Sequence, residues 1–270
     1  MTTNRVQIEY DFTFETPFHC GTGIREGLID RTVVRDNEQY LYIPGSTFKG
    51  VLREHCEQLA RFYDGEKQKI QPGKRKTQPI ESPHNAEAAL EWFGESKPNM
   101  VTRVFGSQLA PGKLFFDDVR QDDKKLQQYR IEGEDRYKSL QATPYTQVRL
   151  DRLTRTAAQG ALYTSEFGAS NIVFKGTIQG WLTCDVIPPA SHPVFAQAQK
   201  SGFTPTFSLL LLLTGLHMIE RLGGNKSTGK GKCTCKISKV LLNGQECAAD
   251  MWRGWLEQLD VLAYYNTVEE

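Results

Sequence analysis

Asp30 is a single carboxylate in a loop that opens on Gly21-Thr22-Gly23 and is flanked by Arg25 and Arg31. A carboxylate placed among arginines can bind a hard divalent cation or take a proton, and either assists attack on a phosphodiester. Downstream, Pro44-Gly45 leads into a segment with Ser46, Lys49 and Arg53 at its start. Lys49 and Arg53 are one helical turn apart, so they share a face with the Ser46 N-cap. Near the other end, Gly223 to Gly231 forms a glycine-rich loop carrying Lys226, Ser227 and Lys230, with Lys232 just beyond. Gly224-x4-Gly229-Lys230 matches the opening of a P-loop, but Gly231 stands where a magnesium-ligating Ser or Thr is required. The loop also runs from a helix into a strand, the reverse of a P-loop. What remains is a set of amides and lysines able to cradle a polynucleotide backbone, although a structural turn has the same composition. Arg149, Arg152 and Arg155 recur at intervals of three with Tyr145 and Tyr163 nearby. Cations mixed with aromatic rings suit a nucleic-acid strand, and a surface ion-pair network would look alike.

These residues need a scaffold. The chain has 270 residues, 39% hydrophobic and 24% charged, which is ample for a core and typical of globular proteins. The net charge is +1, so a polyanion must be held by local clusters and not by a global field. The longest apolar run, Leu209 to Leu213, is far too short to span a membrane. Without a secretory signal, the six cysteines read as reduced thiols of a cytoplasmic protein. Cys233 and Cys235 share one face of a strand and read as small buried groups. The histidines are dispersed. His19 beside the glycine turn could serve as an acid or base, but a satisfied loop histidine is the simpler reading, and His217 reads as packed.

Val6, Ile8, Tyr10, Phe12 and Phe14 alternate with polar residues, which predicts a half-buried strand. From Ser46 the apolar spacing changes to three and four and predicts an amphipathic helix through Phe62 or Tyr63. Residues 64–85 read as an exposed loop with a Lys/Arg cluster, followed by a short helix over 86–93. Residues 120–165 are too long for a featureless loop and predict a projecting hairpin or lobe. Ile172 to Val186 reads as a long strand in which Gly176 and Gly180 permit close approach of a neighbouring backbone. Phe207 to Leu222 reads as a helix closed by Gly223-Gly224 as a left-handed cap. Cys233 to Val240 is a last strand, and Met251 to Tyr265 a terminal helix. The order strand, helix, strand, strand, helix, strand predicts an α+β, ferredoxin-like (RRM-like) split βαβ domain over 1–270, with insertions at about 64–100 and a thumb-like one at about 120–165.

The sequence resembles the repeat-associated mysterious protein (RAMP) superfamily, and within it the backbone subunits of type III CRISPR effector complexes. The likeness rests on Asp30 with Val33-Val34-Arg35-Asp36, on Ile43-Pro44-Gly45-Ser46-Thr47-Phe48-Lys49-Gly50 with Arg53, on Phe105-Gly106, on Phe116-Asp117-Asp118, on Arg149 through Thr154, and on the Gly223–Gly231 loop. The resemblance implies a subunit that binds guide crRNA, assembles with other subunits, and interrupts the guide–target duplex with its thumb. It further implies Mg²⁺-dependent cleavage of target RNA directed by Asp30, which would be both catalyst and metal ligand. Relatives often bind zinc before the Phe-Gly element; Lys97 to Thr102 stand there instead, so no zinc site is expected. A non-cutting scaffold subunit, and a guide-processing ribonuclease using His19, are the alternatives.

Overall fold

The computed structural model describes residues 3–70, 99–107, 111–183 and 185–265. In chain order these form β1 (Thr3–Phe14), α1 (Gly45–Ile70), α2 (Met100–Phe105), β2 (Leu114–Phe116), β3 (Arg120–Gln121), α3 (Asp123–Leu140), β4 (Ala142–Leu150), β5 (Ala157–Gly168), β6 (Val173–Thr183), α4 (Pro193–Lys200), α5 (Phe207–His217), β7 (Cys233–Leu242), β8 (Gln245–Glu246) and α6 (Ala249–Leu256). The Lys/Arg cluster around 74–76, the helix expected over 86–93, and Cys184 lie outside the described residues.

β1 is the centre of the main sheet, antiparallel to β6 on one side and β7 on the other, with β2 beyond β6. Taking β1, α1, β2, β6, α5 and β7 as the repeating units, the sheet order β2-β6-β1-β7 is the split βαβ arrangement of a ferredoxin-like fold. The alternation in β1 causes this directly: Val6, Ile8, Tyr10, Phe12 and Phe14 are all buried, so one face of the sheet must be covered. α1 covers it with Phe48, Leu52 and Cys56, and the Phe48 ring stacks on Tyr10 at 4.6 Å. α5 lies against α1 at Gly215, where a Cβ would come within 2.5 Å of the Cys56 sulfur. Cys233 and Cys235 point into the same core, and burial pushes both thiols up, Cys233 to about 12.

Four expectations are corrected. α1 begins at Gly45, so Ser46 is an exposed first-turn residue and not the N-cap. Asp118 supplies the cap instead, its Oδ1 accepting the Gly45 N–H at 2.9 Å. α1 also continues to Ile70, into the stretch expected to be loop, because Glu66, Lys67, Gln68 and Lys69 favour helix. α5 stops at His217, since the chain beyond it turns extended to pair with the entry to β7: Leu222 N–H donates to Gly231 O at 2.9 Å, and Cys233 N–H to Glu220 O at 2.9 Å. Finally, the C-terminal segment is α6 followed by a 3₁₀ turn over Leu259–Tyr264, broken where Gln258 leaves helical geometry and Val261 and Leu262 turn into the core.

Between β3 and β6 the chain leaves this layer. α3 bends at Gly133, where φ is +148°, and β4 and β5 form a separate two-stranded sheet. Gly180 meets the backbone of Lys113 and Gly176 the ring of Tyr10, so one of the two glycines admits a backbone and the other a side chain.

Candidate functional site

The root of β5 gathers residues from segments far apart in the chain. Asp30 N–H donates to Thr164 O at 2.9 Å, and Thr164 N–H donates to Asp30 Oδ2 at 2.9 Å. The other carboxylate oxygen, Oδ1, lies 3.2 Å from Arg25 Nη2, and Asp30 keeps 30% of its side-chain surface exposed. One oxygen is thus fixed to the hairpin, while the other faces an exposed cation. Two residues on, Glu166 is buried. Its Oε2 accepts Val33 N–H at 3.1 Å, its Oε1 pairs with Arg35, and its own N–H donates to Arg31 O at 2.8 Å. The 31–35 segment is therefore laid along β5 by backbone and side-chain bonds together.

His19 reaches the same strand, with Nδ1 donating to Glu166 O at 2.8 Å. Gly21 packs directly against this ring, where a Cβ would sit 2.6 Å from Nε2. The glycine-rich loop docks here as well. Gly224 N–H donates to His19 O at 2.8 Å, and a Cβ on Gly223, whose φ is +95°, would approach that oxygen to 2.6 Å. Those glycines thus seat the loop on His19 and do not cap a helix. Lys230 then extends over two hairpin rings, 5.2 Å from the Tyr145 centroid and 5.1 Å from that of Phe167.

The start of α1 forms the second half of the surface. Lys49 is half-buried with Nζ 5.4 Å from the Phe116 ring centroid, and burial, then the neighbouring Arg53 charge, pulls its ammonium pKa down. Arg53 is 19% exposed and committed: Nε donates to Glu57 Oε1 at 2.8 Å and Nη1 to Gly106 O at 3.3 Å. It fastens the Phe105-Gly106 element to α1. Lys226 stands 4.0 Å from Glu54, so the glycine-rich loop touches α1 at one point and the hairpin at another. Lys232 pairs with Glu15 at 2.6 Å, and Ser46 and Ser227 are exposed. Arg149 and Arg152 lie on the outer part of the hairpin, exposed. The adjacent Asp151 builds the tip, its Oδ1 accepting Leu153 N–H at 2.7 Å and Thr154 N–H at 3.0 Å.

The structure thus brings Asp30, His19 and Lys230 to one strand and Lys49, Arg53 and Lys226 to one helix, and leaves Arg149 and Arg152 outside both groups. Thr164, Glu166 and Phe167 hold Asp30, the 31–35 segment and Lys230 in place, although their types and spacing do not single them out. Their only signal was a carboxylate set between Ser165 and Phe167 in a strand-like run. Among the described residues no three metal-ligating side chains stand together. The donor on offer is the Asp30 carboxylate, which fits a Mg²⁺ that takes most of its ligands from phosphate and water. No helix among the described residues is long and apolar enough to cross a membrane.

A family model described as "RAMP superfamily" matches residues 11–234. No curated protein matches the chain. Among solved structures, a chain of "Cryo-EM structure of the Type III-B Cmr-beta bound to cognate target RNA" is similar at 12% identity and a TM-score of 0.48, over 86% of this chain and 96% of that one.

Proposed function

The chain belongs to the RAMP superfamily, and on that premise we propose that it is a guide-binding backbone subunit of a cytoplasmic type III CRISPR ribonucleoprotein, in which Asp30 directs Mg²⁺-dependent cleavage of guide-paired target RNA. The observation that carries this reading is the attachment of Asp30 to the root of the β4–β5 hairpin. A strand distorted by that hairpin has its phosphates beside the hairpin base, and a carboxylate bonded to the base is held at the place where geometry is altered. In-line attack by a ribose 2′-hydroxyl needs this kind of fixed geometry, with cations nearby to offset phosphate charge. A divalent ion held by Asp30 would supply that charge neutralisation and a more acidic bound water. Arg25 holds Oδ1 only by a surface ion pair, worth about 0–1 kcal/mol, so an incoming phosphate can draw it away.

Guide RNA is assigned to Ser46, Lys49, Lys226, Ser227, Lys230 and Lys232, with Arg149 and Arg152 reaching the duplex from the hairpin. Arg53 serves from beneath, by holding the Phe105-Gly106 element. A second reading, a scaffold subunit that does not cut, draws support from the same bonds: a reciprocal pair with Thr164 is what a purely structural aspartate makes.

The deciding experiment challenges the assembled complex with complementary RNA, with and without Mg²⁺. The native complex is expected to cut only with Mg²⁺, and Asp30→Ala to lower the rate by at least about a hundredfold while assembly and guide content stay unchanged. Undiminished cutting by that variant would leave the scaffold reading standing.

A further inference from the structure

The main sheet has two faces, and the helices cover one. On the other, side chains from adjacent strands stand in rows. Arg5 pairs with Trp181 across β1 and β6, and Trp181 N–H donates to Lys113 O at 3.1 Å, so Arg5, Trp181 and Lys113 form one row. Gln7, Gln179 and Phe115 form the next. Trp181 and Phe115 are therefore diagonal neighbours on one face, within aromatic reach of each other. Both are open, at 46% and 58% exposure. Gly180 permits the arrangement: its φ is +143° and a Cβ there would meet the Lys113 carbonyl at 2.1 Å, so a glycine lets β2 close on β6. Further along the same face stand Glu9 and Thr177 opposite Lys239, then Asp11 between Lys175 and Lys236.

Two features decide what such a face accepts. Its exposed large hydrophobic groups, Trp181 and Phe115, are both aromatic, and a cation flanks Trp181 on either side in its row. A protein interface shares the taste for Trp, Phe and Arg but depletes Lys at its centre. A stacking platform for single-stranded nucleic acid keeps cations of both kinds between its rings. Along this face Lys175 and Lys239 are already paired with Asp122 and Glu246, whereas Arg5 and Lys113 form no ion pair among the described residues, so the free positive charge stands beside Trp181 and favours a polyanion there.

We propose that this open face is a second RNA surface, on which two bases of a single strand stack on Trp181 and Phe115 while phosphates lie over Arg5 and Lys113. It lies on the opposite side of the sheet from α1 and its Lys49, and so does not depend on the guide-binding assignment.

The test uses the full chain and a fluorescein-labelled uridine dodecamer. Trp181→Ala with Phe115→Ala is expected to weaken binding at least about tenfold, and Trp181→Phe, which keeps a ring, by no more than about threefold. Ultraviolet crosslinks to 113–119 and 175–183 disappear in the double variant, while crosslinks to α1 remain. Lys49→Ala with Lys226→Ala gives the converse pattern, which separates this surface from the guide site. Unchanged affinity and crosslinks in a double variant with native circular dichroism overturn the proposal and leave the Asp30 reading untouched. A double variant that binds the dodecamer normally but no longer enters the complex also overturns it, because the face then belongs to a protein partner.

Discussion

The two ends of the β4–β5 hairpin are built by different rules. At the root, Thr164, Glu166 and Phe167 are bonded to or packed against residues from the 19–35 segment and the glycine-rich loop. At the tip, Asp151 folds the turn with bonds to its own neighbours, Arg155 takes a left-handed φ of +54°, and Leu153 stands 95% exposed. The root is held by the rest of the molecule; the tip is held by itself and offers its apolar side chains, Leu150 and Leu153 among them, to whatever it meets. Position is set at one end and contact is made at the other.

That contrast can be broken by substitution. The largest effect is expected for Glu166→Ala, which leaves Arg35 without its carboxylate and Val33 N–H without an acceptor. We expect a loss of about 3 kcal/mol in urea unfolding. At the tip, Leu153→Ser removes an exposed side chain with no packing to lose, and stability should move by no more than about 0.5 kcal/mol. Equal losses in the two variants would abolish the distinction, whereas target cutting that falls in Leu153→Ser at unchanged stability would sharpen it.

The smallest effect is a pH dependence at the tip. The Thr154 and Leu153 N–H groups hold the Asp151 carboxyl below its ordinary value. A depressed folded-state pKa means that the turn is favoured above the unfolded value of about 3.9 and loosens as pH falls through the folded one. Amide shifts of Leu153 and Thr154 should therefore titrate together below about pH 4.

Some of this was legible in the chain and some was not. The alternation of β1 and the helical spacing after Pro44 translate directly into burial, because a strand and a helix repeat their faces at fixed intervals. The end of α5 was illegible for the same reason. Ile219 and Leu222 fit a continuing helix by spacing, yet they are buried equally well from an extended backbone that pairs with β7. Ser46 resembled a cap by its type and position, but the first free N–H of α1 went to Asp118, which arrives from the link between β2 and β3. Local pattern names an element. It does not say which neighbour ends it.

By itself the sequence determined that a loop carboxylate, a cationic helix start and a lysine-bearing glycine loop exist, and that strands and helices alternate in the order that builds this sheet. Only the tertiary structure decided that Asp30 is bonded to Thr164, 134 residues away, and that Lys230 lies over Tyr145 and Phe167. The physical reason is one of range. Backbone sterics and side-chain periodicity act over a few residues and leave a spacing in the sequence, whereas a hydrogen bond between distant segments leaves none. It forms because folding has already brought both partners within reach.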